Sequence, residues 1–507
     1  MTKSPNKRVR SLSAGNDSSR SSVGDATFPS LKRPCLAISK PIPVVTLNNA
    51  DHQFVRKTVH ERLPSIIATV IERNRDLWKQ AGRAHCAMAC MRLEELRQEL
   101  SNERHGGNVE IKRLDDVPEN SVWNMEYLAN LKVVLLSDTS TFFLENYFYR
   151  RVLDAVQYWD KLVDPFAGQK RDMLASARCA FKRIYSSLGV DLNCVQKSER
   201  KCLGTASTLK KPLFRSILHF QLWGNRCDLS LSGGKVSASE EEHKNSEMDQ
   251  KRETKEMEKV SDSVDIAQDP HHPKDDDDKD QVCMLVDHTD AIWDDLVHDC
   301  FRLNSEDDAK AHGGTVIIVL DNCGLELLSD LVCVAIFLTH HVFEHVELHC
   351  KSTPVFVSDV MLENFEATLV WLEAGNEADW AELASVLRFH LASKRLQIIA
   401  DDFYTSPLSY AALPKTLLNK FQAAELVMIK GDANYRRLLG EKQWPIDTLF
   451  QSAVSYFQGV NLVALRTLKW PLAVGLSHSA IAKAEKEVGH EWDINGRCGT
   501  IQYASLK

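Results

Sequence analysis

Residues 315–326 read TVIIVLDNCGLE, and this stretch decides the fold. A short β-branched run, 315–320, ends abruptly in an acid, an amide and a glycine, which is how a buried strand leaves a core. Helical periodicity follows over 325–339. Strand, polar turn and helix in immediate succession form the repeating unit of an α/β sheet. Working outward, 346–348, 355–358, 396–400, 426–430 and 462–466 read as further strands, with helical stretches between most of them. The alternation predicts a doubly wound, mostly parallel sheet with helices on both faces over residues 282–507. No repeat at a fixed period interrupts it.

Upstream, residues 41–235 read as a mainly helical N-terminal subdomain. The segment 54–73 spaces Val55, Val59, Leu63, Ile66, Ile67 and Val70 three and four apart, an amphipathic stripe. The segment 142–159 is denser in aromatics, with Phe143, Tyr147, Tyr149, Tyr158 and Trp159, and reads as packing core rather than a cofactor site. Residues 1–40 form a basic tail and 236–281 an acidic, low-complexity insertion, both too poor in apolar residues to order themselves. The clusters at 7–10 and 32–34 could act as nuclear-import patches; basic clusters are also ordinary in such tails. His271 and His272 beside four aspartates read as part of a solvated loop.

The formal charge of −8 is mostly the insertion, where sixteen acids face seven bases; the tail, with eight bases and two acids, offsets part of it. What remains is near neutral for its length, so no nucleic-acid partner is expected. No apolar run reaches the length of a membrane span, and the first residues lack the apolar stretch of a secretory signal, so export is not expected. Thirteen cysteines lack disulfide-framework spacing, and the Cys86–Cys90 pair has no second pair at zinc-ribbon distance. Reduced thiols in the cytoplasm, also in the nucleus if the basic clusters act, are the expectation.

Ligands of an open parallel sheet gather beyond the carboxyl ends of its strands, so the residues that follow each strand carry the functional reading. Asp321 and Asn322 follow the first strand, with Gly324 for a tight turn and Glu326 beyond it. Asp359 follows 355–358; two carboxylates meeting at one place call for a cation, and oxygen ligands suit a hard divalent metal. Each acid could equally cap a helix. Residues 430–437 (KGDANYRR) put Asp432 and Arg436 at the start of a helix, where Arg436 could fork onto phosphate or be a solvated arginine. Arg466 and Lys469 follow the last strand. Acids for a metal and bases for an anion at one sheet edge suit phosphoryl chemistry.

SDTSTFFLENYFYRR (137–151), LWGNRCDLSLSGG (222–234), VLDNCGLELLSDL (319–331), FVSD (356–359), KGDANYRRLLG (430–440) and LRTLK (465–469) together resemble the metal-dependent damage-control phosphatases. The resemblance is to the branch marked by an Arg-Thr-x-Lys motif, also described as a protein-glutamate O-methyltransferase. It implies Asp321, Asn322 and Asp359 as metal ligands, the first two also catalytic. It further implies that Glu326, Asp432, Asn434, Tyr435, Arg436, Arg466 and Lys469 line or grip the substrate, joined by Asn225 and Asp228 from the helical half. The implied activity is release of phosphate from fructose 1-phosphate, fructose 6-phosphate and related sugar phosphates, supported by manganese, cobalt, nickel or magnesium. The methyltransferase description implies S-adenosylmethionine instead, but no GxG-type loop follows an early strand here. A scaffold without activity is a third reading, disfavoured by intact Asp321, Asn322, Asp359 and Lys469.

Overall fold

The computed structural model describes residues 41–114, 117–129, 135–188, 209–227, 282–297, 314–375 and 377–507. The basic clusters, the acidic insertion and Asp228 lie outside them. Seven strands form one sheet: β1 (Cys283–Asp287), β2 (Thr315–Val319), β3 (His345–Lys351), β4 (Leu396–Asp401), β5 (Leu426–Lys430), β6 (Asn461–Thr467) and β7 (Cys498–Ser505), in the order β1-β7-β6-β5-β2-β3-β4. All pairings are parallel except β6 with β7. From β2 the chain steps outward to β3 and β4, then returns to β5 on the other side of β2 and steps outward again to β6. The reversal leaves a crevice at the carboxyl ends of β2 and β5.

Alternation along the strands divides the interior. Ile317, Val319, Val427, Ile429, Leu462 and Ala464 face one apolar core, and Val316, Ile318, Val346, Leu348, Met428, Val463 and Leu465 face the other. The second core is covered by helices Lys211–Trp223, Leu325–Thr339, Leu362–Glu373 and Ala378–Ala392. The first is covered by the N-terminal helices Leu63–Ala81, Arg83–Arg104 and Thr141–Ala155 together with Lys415–Ala423 and Asp432–Leu439. The helical half therefore shares its core with the sheet, and Ile42–Lys507 is one compact unit. All six apolar residues of the 54–73 stripe are buried. They lie on Gln53–Lys57, a π-helical turn at Thr58–Arg62, and Leu63–Ala81. The aromatic segment is helical over Thr141–Ala155, breaks at Gln157 with φ 54°, and resumes at Tyr158–Lys161.

The sheet agrees with expectation except at three places. β1 is a short apolar run directly after the acidic segment, and polar and glycine positions break the run of β7, so neither is marked by the local pattern. Residues 355–358 are a turn, not a strand. Phe356 and Val357 take φ of 49° and 67°, a left-handed conformation that costs a β-branched residue about 1–3 kcal/mol. The reversal aims the chain back at the end of β2 instead of along the sheet. Among the described residues no helix is long and apolar enough to cross a membrane.

His390 is buried on Ala378–Ala392, and neither ring nitrogen has a hydrogen-bond partner among the described residues. Burial, with Arg395 and His341 nearby, pushes its pKa down from 6.5 to about 4. The folded state therefore refuses a proton that the unfolded chain takes up below pH 6.5, so stability falls as pH drops toward 4. We expect the urea-unfolding free energies of wild type and His390→Leu to diverge by up to about 3 kcal/mol over that window, in favour of the variant at low pH. A difference that does not change with pH would contradict this.

Candidate active site

The strained turn delivers Ser358 and Asp359 to the chain leaving β2. Cys323 N–H donates to Ser358 O at 2.8 Å and Val360 N–H to Asp321 O at 2.8 Å, so Asn322 and Asp359 pair as a short antiparallel bridge. The Ser358 hydroxyl donates to Asn322 Oδ1. Two acids from distant parts of the sequence are thereby held on adjacent backbone. Lys351, at the end of β3, sets its ammonium 3.1 Å from Asp359 Oδ2 and 2.9 Å from Leu320 O. Neither acid caps a helix: the caps of the following helices are Gly324 and Met361.

β5 is followed by Gly431, whose φ is 85°. A Cβ there would fall 1.9 Å from Asp321 Oδ2, so the Asp321 carboxylate occupies the space that a side chain would take. Asp432 opens helix Asp432–Leu439, and its Oδ1 accepts from Arg466 Nε at 2.7 Å and from the Lys469 backbone N–H at 3.1 Å.

Arg466 donates further to the Trp470 and Leu472 carbonyls and lies 4.4 Å over the Tyr435 ring. Its fork thus shapes the loop that carries Lys469 and does not line the pocket. Tyr435 donates its hydroxyl to Gln502 at 2.8 Å, and Asn434 ties the Leu320 and Lys430 carbonyls together. Both brace the site from behind, away from the position expected of substrate contacts.

Asn225 joins the helical half to this edge. Its Nδ2 donates to Asp321 Oδ2 at 2.9 Å and to Glu326, while its Oδ1 accepts from Thr467 at 2.9 Å and Lys469 Nζ at 2.5 Å. Glu326 also accepts from Asn322 Nδ2 at 3.0 Å and pairs with Lys430 at 3.1 Å. Lys430 lies 2.6 Å from Asp330 as well. Burial, with Glu326 adding to it, lifts Asp330 to about 6 against the pull of Lys430. Glu326 is one layer behind the pocket and orients Asn322 and Asn225.

The pocket itself is lined by Arg62, Glu145, Asp321, Phe356, Asp359, Asp432, Ala433, Arg436, Lys469 and Trp470. The pocket is narrow at its base and opens to solvent. Four of the lining side chains are carboxylates and three are cations. Arg436 is buried, not solvated. Its Nε and Nη2 meet Glu441 at 3.0 and 3.1 Å, its Nη1 meets Glu145 at 2.6 Å, and its guanidinium stacks 3.7 Å from the Trp470 ring. Burial alone would lower its pKa, but Glu441 and Glu145 outweigh that and raise it.

Arg62, Glu145, Phe356, Trp470 and Lys351 were not assigned from sequence. A glutamate amid the aromatics of 142–149, and an arginine interrupting the 54–73 stripe, were the available signals. Among the described residues no three His, Cys, Asp or Glu side chains gather into a metal cage. The candidate oxygen donors are the Asp321 and Asp359 carboxylates in the pocket lining and the Asn322 amide, which lies just behind it with its Oδ1 accepting the Ser358 hydroxyl.

The chain matches the damage-control phosphatase ARMT1-like domain over residues 58–483. It is 26% identical over 470 residues to the damage-control phosphatase ARMT1 of Danio rerio, covering 90% of this chain and 95% of that protein. It is likewise 26% identical to the protein of that name from Homo sapiens, covering 89% of this chain and 96% of the other. A solved structure of a DUF89-family protein from Pyrococcus horikoshii aligns at 11% identity with a TM-score of 0.36, over 80% of this chain and 91% of that one. The match to the domain spans most of the described sheet and the helical half that closes it, and on that extent the chain belongs to the ARMT1-like damage-control phosphatase family.

Proposed function

We propose that this pocket hydrolyses small phosphate monoesters with a divalent cation held by Asp321, Asn322 and Asp359, and that its substrates are sugar phosphates such as fructose 1-phosphate and fructose 6-phosphate. The charge balance of the pocket carries the reading. Four carboxylates against three cations would repel a phosphoryl dianion, whereas one added divalent cation turns the balance positive. The donor set suits a hard ion, because two carboxylates and an amide supply only oxygen, the preference of magnesium and manganese. Gly431 fits the same assignment: its missing Cβ leaves the Asp321 carboxylate in place beside the end of β5.

When bound, such a cation neutralises ester oxygens and lowers the pKa of a water molecule. The chain's own residues do the rest. Lys351 fixes one Asp359 oxygen, so the carboxylate keeps a single orientation. Asn225 holds the Lys469 ammonium at the pocket, where it and Arg436 can accept the phosphoryl charge. Asp432, fixed through Oδ1 by Arg466 and the Lys469 N–H, can accept a hydrogen bond from a substrate hydroxyl or the attacking water. Phe356 and Trp470 exclude bulk water, which strengthens every charge contact inside.

Purified protein incubated with fructose 1-phosphate and manganese or cobalt should release phosphate, and a chelator should abolish the release. Asp321→Ala should lower kcat/KM by at least about a hundredfold. Release that survives both treatments would remove the metal mechanism. Methyl transfer from S-adenosylmethionine to protein carboxylates, without phosphate release, would replace the reading. Lys469→Met should raise KM about tenfold or more, since it removes a charge-assisted contact; an unchanged KM would exclude Lys469 from the anion site.

A further inference from the structure

The helical half reaches the pocket with two side chains that the phosphate-site assignment leaves unexplained. Arg62 is the last residue of the π-helical turn Thr58–Arg62, an irregularity that shifts a helix's register and recurs at functional sites. Glu145 lies mid-helix on Thr141–Ala155, buried among aromatics. Its carboxylate is divided between two guanidinium groups, Oε1 accepting from Arg62 Nη2 and Oε2 from Arg436 Nη1. Arg436 is anchored along its other edge by Glu441, which Thr141 in turn holds through its hydroxyl. Among the described residues Arg62 has no such second anchor. Its Nε is buried without a hydrogen-bond partner among the described residues, a donor whose desolvation is uncompensated.

A carboxylate that takes one N–H from each of two guanidinium groups at the edge of a cavity marks a place where an oxyanion can be held. Resting on the reading of the pocket as a phosphate-ester site, we infer that Arg62 and Arg436 form a two-guanidinium clamp for the phosphoryl group, and that Glu145 spaces the clamp while competing with the incoming anion. Arg62 is then a substrate-binding residue supplied by the helical half, and Glu145 a positioning residue. The roles have opposite signs. Removing the Arg62 charge weakens anion binding; removing the Glu145 charge, with its shape kept, strengthens it. A purely structural ion pair would make both substitutions act in the same direction.

Inorganic phosphate is the probe, titrated calorimetrically into full-length protein with manganese present. Thermal unfolding of each variant checks the fold. R62M should raise the phosphate Kd about ten- to a hundredfold, the loss expected for a charge-assisted contact, with R62K intermediate. E145Q should lower it severalfold. A folded R62M that binds phosphate like wild type overturns the clamp, as does an E145Q that weakens binding as R62M does. R62M and R62K decide the matter even if E145Q does not fold. Wild type that releases phosphate from fructose 1-phosphate while R62M keeps its phosphate affinity sinks the clamp alone. Wild type that neither binds phosphate nor releases it sinks the phosphate-site reading as well.

Discussion

Burying carboxylates at the carboxyl edge of a sheet is the constraint from which the rest of this molecule follows. A desolvated carboxylate with no compensating partner costs several kcal/mol, so each one dictates what must stand beside it. Asp359 is met by Lys351, Glu326 and Asp330 by Lys430, Asp432 by Arg466, and Glu145 and Glu441 by Arg436. Asp321 receives two side-chain amides, from Asn225 and Asn322. Most of these compensating groups sit on or just after strands, whereas several of the acids come from helices, so the carboxyl edge of the sheet supplies the partners for acids that other elements bring to it. Such pairs contribute little net stability, but breaking one leaves a buried charge, which makes the arrangement hard to change piecemeal.

The same constraint explains why the helical half is not a separate body. Asn225 contacts residues following β2 and at the end of β6, and Glu145 spans to Arg436 on the helix after β5. These polar ties are enclosed by an apolar core that the N-terminal helices share with one face of the sheet. The walls of the pocket thus come from chain segments some three hundred residues apart, and the site exists only once both halves have packed.

Local rules are broken where the acids converge. Phe356 and Val357 adopt left-handed backbone, and Gly431 brings the backbone against a carboxylate where no other residue fits. Strain of this kind persists only where surrounding contacts over-determine it, here the bridge between Asn322 and Asp359 and the ion pair from Lys351. Membership of the damage-control phosphatase family fits a pocket whose polar groups are fixed before any ligand arrives.

Local pattern alone marks β2 to β6, the long buried helix after β2, and the acids and bases that close the strands and the turn at 355–358. Those features depend on local periodicity and on the rule that polar residues close a buried strand, both readable without neighbours. β1 and β7 are the two strands not legible this way: β1 is a four-residue apolar run closed by Asp287 directly after the acidic segment, and Gly499, Thr500 and Gln502 break the run of β7. Only the tertiary structure decided which polar residues face the pocket and which brace it. Arg466, Asn434, Tyr435 and Glu326 have the same composition as ligand-binding residues, yet their hydrogen-bonding groups are taken by the fold. Arg62 and Glu145 look like breaks in apolar stripes, yet they line the pocket. Side-chain chemistry is fixed residue by residue, but the partner that uses it is set by packing between segments distant in the chain.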